Sequence, residues 1–317
     1  MTTNPITLPI PADRPAAADF ELSSGVAPWK TLLRSGLDRP LYLAAATLLI
    51  ILVTMAVAAP VLPFADPDHQ SILDRLSKPL ATDNTGAFHI AGTDQLGRDI
   101  LSRVVYGARI SLLIAFAVVA ISSVAGIALG LVAGYKGGLV DNAVMRVVDF
   151  QQAFPPILWA IFILYLIGSS LTNLVILLAI LNWVSYARIV RAQTLSLRNQ
   201  PFVEGAISIG CSDRRILFRH ILPQLSSVLG TFAVLDFVSV ILAEAGLSFL
   251  GLGVQPPTSS LGRMVADGQE FLYTGGWWLF VIPGIAIFLI VLSANLTSKW
   301  MQEIADHAPS RKGFKKG

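Results

Sequence analysis

The sequence predicts an all-α, polytopic integral membrane protein with six transmembrane helices and both termini in the cytoplasm. Three observations lead there. The chain is 54% hydrophobic and only 14% charged, with a mean hydropathy of +0.66, against about 25% charged residues in a soluble domain. The apolar excess is gathered into charge-free blocks, and a helix needs about 20 such residues to cross a bilayer. Lysine and arginine are divided unequally between the connecting segments, as the positive-inside rule requires.

Taken in order, residues 1–40 are rich in proline and alanine and read as a disordered cytoplasmic tail ending in a basic, membrane-proximal segment. Residues 41–62 carry no charge and form the first span. Ala56-Val57-Ala58 resembles a signal-peptidase site, but the apolar run is too long for a signal core and lies too far into the chain. Residues 63–108 form a long extracytoplasmic loop. In its second half Ile100, Leu101, Val104, Val105 and Ala108 share one helical face, which predicts a short amphipathic helix on the outer surface leading into span two.

Residues 109–298 supply the remaining five spans. The second is 110–135, and it holds Gly126, Gly130 and Gly134 at four-residue spacing, a pattern that lets two helices approach closely within the chain or at a partner. Residues 150–187 are charge-free and interrupted by turn residues at 168–173. That run is shorter than the roughly 45 residues two spans and a turn require. The third span therefore starts near Asn142 and carries Arg146 and Asp149 towards the bilayer, and the fourth runs from about 172 to 189. The fifth follows Pro223 to about 246 and contains Asp236 and Glu244; the sixth is 277–296, and residues 299–317 form a basic cytoplasmic tail. Pro155-Pro156 and Pro283 predict kinks in spans three and six. With the N-terminus inside, the inner segments hold 17 lysines and arginines and the outer ones 6, which fixes the N-in, C-in orientation.

Several function classes are disfavoured. The single cysteine, Cys211, precludes an intrachain disulfide and a cysteine-based metal cluster. The net charge of +3 reflects loop placement and gives no nucleic-acid footprint. The histidines (His69, His89, His220 and His307) are not paired at metal-ligand spacing. No His-Glu-x-x-His, Gly-x-Ser-x-Gly or phosphate-binding Gly-x-x-x-x-Gly-Lys-Ser/Thr segment is present. Asp149 and Asp236 are costly in a bilayer and are expected to face protein or a water-filled path. An intramembrane hydrolase would need the two acids together, and nothing in the sequence places them so. Arg146, three residues before Asp149, is its expected partner; Gln151, Gln152 and Asn182 are candidates to line a polar path with it. Asp236 is expected to face that path or to pair across an interface.

The cytoplasmic interruption at 198–223 carries the clearest signal. Pro201 suits a first helical turn, Asn199 or Gln200 can cap it, Gly210 can end it, and Ser212 can cap a second helix. In that second piece Ile216, Leu217, His220 and Ile221 share a face, Arg215 and Arg219 another, and Pro223 marks the turn into the next span. The result is a helix–glycine–helix elbow. It suits either an anionic inner leaflet or a groove on a partner protein.

The order Glu204-Gly205-Ala206, Gly210 and Leu222-Pro223 resembles the cytoplasmic EAA signature of ABC-type importer permeases, with Gly205 in place of alanine and His220 in place of isoleucine. His220-Ile221-Leu222-Pro223 is the form of the peptide and nickel branch. Gly92-Thr93-Asp94 with Gly97-Arg98-Asp99, the run from Tyr106 to Leu112, Asp149 with Phe154-Pro155-Pro156, and the run from Leu247 to Pro257 are similar to that branch as well. Together they cover about residues 35–300 and resemble the second, C-type, permease of dipeptide and oligopeptide importers.

The resemblance implies a type I ABC importer permease core in a cell inner membrane, carrying di- or oligopeptides. Nickel chelates or another small solute are the alternative cargo. It implies that Glu204, Gly205, Ala206, Gly210, Leu222 and Pro223 couple the permease to an ATPase. The expected partners are a homologous second permease, two ATPase subunits or domains, an extracytoplasmic solute-binding protein and the lipid bilayer. No cofactor or metal is expected on this chain; ATP and Mg²⁺ would act on the ATPases, and the permease itself would be non-catalytic. Arg214, Arg215 and Arg219 are read as inner-leaflet charges. A different-class reading is a membrane anchor or receptor that only recruits a cytoplasmic partner through the elbow.

Overall fold

A computed structural model describes residues 39–82, 84 and 86–307. The expected N-terminal tail and most of the expected C-terminal tail lie outside the described residues. Among the described residues five helices are long and apolar enough to cross a membrane, and a bent helix pair makes a sixth span when counted as one. Helix α1, Pro40–Ala58, starts on a proline at its first turn, where no backbone N–H is needed. Tyr42 Oη donates to Glu303 Oε1 at 2.9 Å and Arg39 pairs with the same carboxylate, so the first and last spans are clasped at one membrane face.

The described residues between 63 and 99 fold into a small cap on the outer side. A two-residue hairpin pairs Ala81 with His89 and Thr82 with Phe88. Asp94 accepts from Leu96 N at 2.8 Å, Arg98 N at 3.0 Å and Arg98 Nε at 2.7 Å, and lies 3.1 Å from Arg103 Nη1. Gly97 has a φ of +74°, and a Cβ there would sit 1.8 Å from the Ser71 carbonyl oxygen, so this loop crossing accepts only glycine.

Helix α2, Ile100–Lys136, is capped by Asp99, whose Oδ2 accepts from Ser102 N at 2.8 Å. The expected separate helix on the outer surface is instead the first three turns of this 37-residue helix. No glycine–proline break separates the two, and Ile100, Val105 and Ala108 are buried. The third span starts at Gly138, earlier than expected, and is not one helix. Helix α3, Gly138–Gln152, and helix α4, Pro156–Ile167, meet at 84°. The proline pair that predicted a kink produces a break.

Helix α5, Leu171–Arg198, runs well past the expected end near 189. Of its late arginines, Arg188 and Arg191 reach carboxylates of α3, and the Arg198 guanidinium lies over the Tyr135 ring. Helix α6 is Pro201–Ser208. Helix α7, Asp213–Phe249, is continuous: the second half of the elbow and the fifth span are one element. A π turn at Ile216–Ile221 precedes Pro223, so the widened turn absorbs the missing proline donor and no turn occurs there. Helix α8, Leu261–Gln269, was not expected; Ser260 caps it by accepting from Arg263 N at 3.2 Å. Helix α9, Trp278–His307, carries Pro283 without interruption. The indole Nε1 of Trp278 donates to Thr93 O at 3.2 Å, and Ala91, Ile100, Met264 and Leu279 pack around it, which fastens the outer cap to the spans.

The glycine stripe of α2 packs within the chain. A Cβ at Gly126 would lie 2.4 Å from Trp183 O and from Tyr186 Cβ, one at Gly130 2.6 Å from Ala187 O, and one at Gly134 2.8 Å from Arg191 O. The α2 and α5 backbones therefore touch over three turns. Substituting Gly126 or Gly130 by alanine is expected to cost about 1–3 kcal/mol through overpacking. Gly230, with open space around it, is the control. A thermal-melting series in detergent in which Gly130→Ala unfolds no earlier than Gly230→Ala would refute the seam.

Candidate functional site

The cytoplasmic elbow is built with two faces. Val203 and Ala206, one helical turn apart, are buried among Leu131 of α2, Val190 of α5 and Ile216, Leu217, Ile221 and Leu225 of α7. Phe202, Glu204, Gly205 and Ile207 are exposed on the opposite face. Of the predicted coupling residues, Ala206 is thus an anchor, while Glu204 and Gly205 form the outward surface. Nothing lies within 4 Å of a Cβ at Gly205. Its missing side chain serves no contact inside this chain.

Gly210 ends α6 as its position suggests. Its φ is +79°, its N–H donates to Ile207 O at 2.9 Å, and the next N–H, of Cys211, donates to Ala206 O at 3.0 Å. This is the paired-bond stop that glycine favours. Ser212 makes no side-chain cap, contrary to expectation. The start of α7 is held instead by Asp213, whose Oδ1 accepts from Tyr135 Oη at 3.1 Å, with the Arg198 guanidinium 5.9 Å from the Tyr135 ring centre. Ile216, Leu217 and Ile221 turn inward as the shared face predicted, with His220 half-buried beside them. Arg214, Arg215, Arg219 and Phe218 are exposed, Leu222 is half-buried and Pro223 exposed.

The intramembrane polar residues sort differently from expectation. Asp149 does not pair with Arg146 on its own helix; Arg188 Nη2 of α5 donates to Asp149 Oδ1 at 3.2 Å. One turn closer to the cytoplasm Arg191 Nη2 donates to Asp141 Oδ2 at 2.6 Å. Gln151 fastens α3 to α5: its Nε2 donates to Ile180 O at 2.9 Å and Leu181 O at 3.1 Å, and its Oε1 accepts from Trp183 Nε1 at 3.1 Å. Gln152 is exposed. Asn182 bonds back to Leu178 O at 2.9 Å on its own helix. Asp236 is buried inside the chain, facing the Tyr186 hydroxyl, and Tyr186 Oη and Asp236 Oδ2 close no hydrogen bond of regular geometry. Among the described residues no hydrogen bond joins Asp149, Gln152, Asn182 and Asp236 into one site.

A further cluster had no sequence signal. Glu244 of α7 is 1% exposed. Its Oε1 accepts from Ser248 Oγ at 2.7 Å and Ser260 Oγ at 2.6 Å, and its Oε2 from Ser111 Oγ at 3.2 Å. Ser111 Oγ also accepts from Leu261 N at 3.2 Å. One buried carboxylate thus ties α2, α7 and the start of α8 together, with its charge met by hydroxyl donors. Among the described residues no group of three or more His, Cys, Asp or Glu side chains is arranged to hold a metal ion.

Comparison with known proteins gives a consistent picture. Residues 126–310 match the family described as binding-protein-dependent transport system inner membrane component. A dipeptide transport system permease protein, DppC, of Alkalihalophilus pseudofirmus is 34% identical over 95% of this chain and 96% of its own length. The di/tripeptide transport system permease protein DppC of Pseudomonas aeruginosa is 37% identical over 81% of this chain and 85% of its own. The glutathione transport system permease protein GsiD of Pectobacterium atrosepticum is 37% identical over 88% and 91%.

Replacing Glu244 with alanine leaves three buried hydroxyls without their acceptor. The expected loss is about 3 kcal/mol, against about 1 kcal/mol for Ser260→Ala, which removes a helix cap. Glu244→Gln keeps an acceptor and falls between wild type and Glu244→Ala. Thermal midpoints of the purified variants check this order, and an unshifted Glu244→Ala midpoint contradicts it.

Proposed function

The chain belongs to the binding-protein-dependent transport system inner membrane components, and from that premise we propose that it carries short peptides inward and is driven through its cytoplasmic elbow. As a member it is the multi-pass inner-membrane permease of an ABC importer, a class that works with ATPase and substrate-binding partners. The three relatives named above are dipeptide, di/tripeptide and glutathione permeases; all three names specify peptides of two or three residues, which supports the same cargo here. A second, homologous permease would complete the path, ATP and Mg²⁺ would act on two ATPase subunits, and this chain would do no chemistry itself.

The observation that carries the mechanism is the two-faced elbow. Its inner face is locked by Val203 and Ala206 to the cytoplasmic ends of α2, α5 and α7, so a push on the elbow is a push on three spans at once. Its outer face offers exposed apolar side chains, Phe202 at 43% and Ile207 at 51% exposure, around the Glu204 carboxylate. That is the composition of a helix that seats in a protein groove. To couple, the groove must bind this face differently in two ATPase states, since only a difference in binding energy shifts an equilibrium. Glu204 supplies a charge that such a difference can act on, and Gly205 lets the partner backbone come close. Gly210 sets where α6 stops ahead of α7, and Leu222 and Pro223 lie within α7 just beyond its π turn.

Peptide uptake by the complex in proteoliposomes, with ATP hydrolysis measured in parallel, tests this. Glu204→Lys is expected to lower uptake about tenfold, the equivalent of about 1.4 kcal/mol, while the ATPases still hydrolyse ATP. Uptake that stays coupled in Glu204→Lys refutes the role of the elbow. A chain that purifies without any ATPase, with Glu204→Lys changing nothing, makes the elbow a lipid-facing surface helix instead.

A further inference from the structure

The break between α3 and α4 lies level with the middle of the membrane-spanning helix α5. Gln151, in the last turn of α3, is bonded to Ile180, Leu181 and Trp183, which occupy the middle third of α5. Irregular backbone at that depth persists only where protein covers it or water reaches it. One freed group is met inside the chain: Trp159 Nε1 donates to Gln151 O at 3.2 Å. Gln152, Ala153, Phe154 and Pro155 are nevertheless all exposed. The same α3 helix carries the Asp149–Arg188 pair, whose side chains are 70% and 50% exposed. A half-open ion pair facing hydrocarbon is costly. Lipid is therefore the wrong solvent for this face.

Next to the break, and including its Phe154, lies an open recess lined by Phe154, Leu158, Trp159 and Phe162. The rings of Phe150, Phe154 and Trp159 meet edge to face at centroid distances of 5.7–6.3 Å. Trp159 is pinned by its indole bond, which gives the recess a fixed wall. We propose that this recess opens on the translocation path and receives an apolar side chain of the peptide in transit, while the charged ends of the peptide meet the face that bears Asp149 and Arg188. The inference rests on the peptide reading above. A partner permease packed here with an apolar face would strip water from the Asp149–Arg188 pair at a cost. A short peptide is charged at both ends and apolar between, and so matches both the exposed ion pair of α3 and the apolar recess beyond the break.

The test uses the complete transporter in proteoliposomes and compares Leu-Phe with Ala-Ala, each as a ratio to wild type. Trp159→Ala and, separately, Phe162→Ala are expected to lower Leu-Phe uptake about tenfold more than Ala-Ala uptake, the discrimination an apolar pocket gives. An equal loss for both peptides, or no loss, overturns the proposal. A labelling arm covers the case where Trp159→Ala fails to assemble. Phe162→Cys, in a chain with Cys211→Ser, is expected to react with a membrane-impermeant thiosulfonate and to be protected by Leu-Phe. Reaction only with a lipid-soluble maleimide means lipid covers the recess, and cross-linking to the second permease throughout the ATP cycle means the partner does; either overturns it. If wild type moves neither dipeptide, the cargo reading fails. The labelling arm then decides by itself whether the recess faces water, and a recess closed to the impermeant reagent overturns the proposal.

Discussion

The contact on which the rest of the molecule depends is the seam between α2 and α5. Gly126, Gly130 and Gly134 remove the side chains that would hold the two backbones apart, and the carbonyls of Trp183, Ala187 and Arg191 occupy the space. In lipid no hydrophobic effect drives helices together, so close van der Waals packing has to supply the attraction. With α5 seated, its remaining faces are committed. Val184 and Ala187 meet Val148 of α3, Arg188 and Arg191 reach the α3 carboxylates, and Tyr186 turns towards Asp236 of α7. The cytoplasmic ends of the same two helices provide Leu131, Tyr135, Val190 and Leu197 to the cluster that holds the elbow.

A second fastening stands at the other end of α7. Glu244 gathers Ser111, Ser248 and Ser260, and the outer cap is tied to α9 through Trp278 and Thr93. The helix that begins as the elbow ends at this carboxylate. One continuous helix, Asp213–Phe249, therefore runs from the elbow to the Glu244 cluster, where it meets α2 and the start of α8.

Much of this was readable in the sequence, and the limits have physical causes. The spans were legible because bilayer thickness sets a length that charge-free runs either meet or miss. Gly210 was legible because a helix stop with positive φ is a local demand. The glycine stripe announced a close approach, but the period of one helix says nothing about its partner. The sequence pairs Asp149 with Arg146 because it exposes only neighbours on one helix; the partner in the fold, Arg188, is 39 residues away. Pro223 read as a turn because a proline usually ends a helix, and the π turn that accommodates it has no composition of its own. The Glu244 cluster was invisible: Ser111 and Ser260 are ordinary serines until the fold brings them to one carboxylate.

The pairing of α3 with α5 also bears on how the chain enters the membrane. Asp141 and Asp149 are made 50 and 39 residues before the arginines that neutralise them. While α3 stands alone, its carboxylates, Arg146 and the break before Pro156 make it a poor passenger for lipid. It becomes a stable one only when α5 arrives with Arg188, Arg191 and the acceptors for Gln151. These pairings favour integration of α3, α4 and α5 as one unit over their entry into lipid one by one.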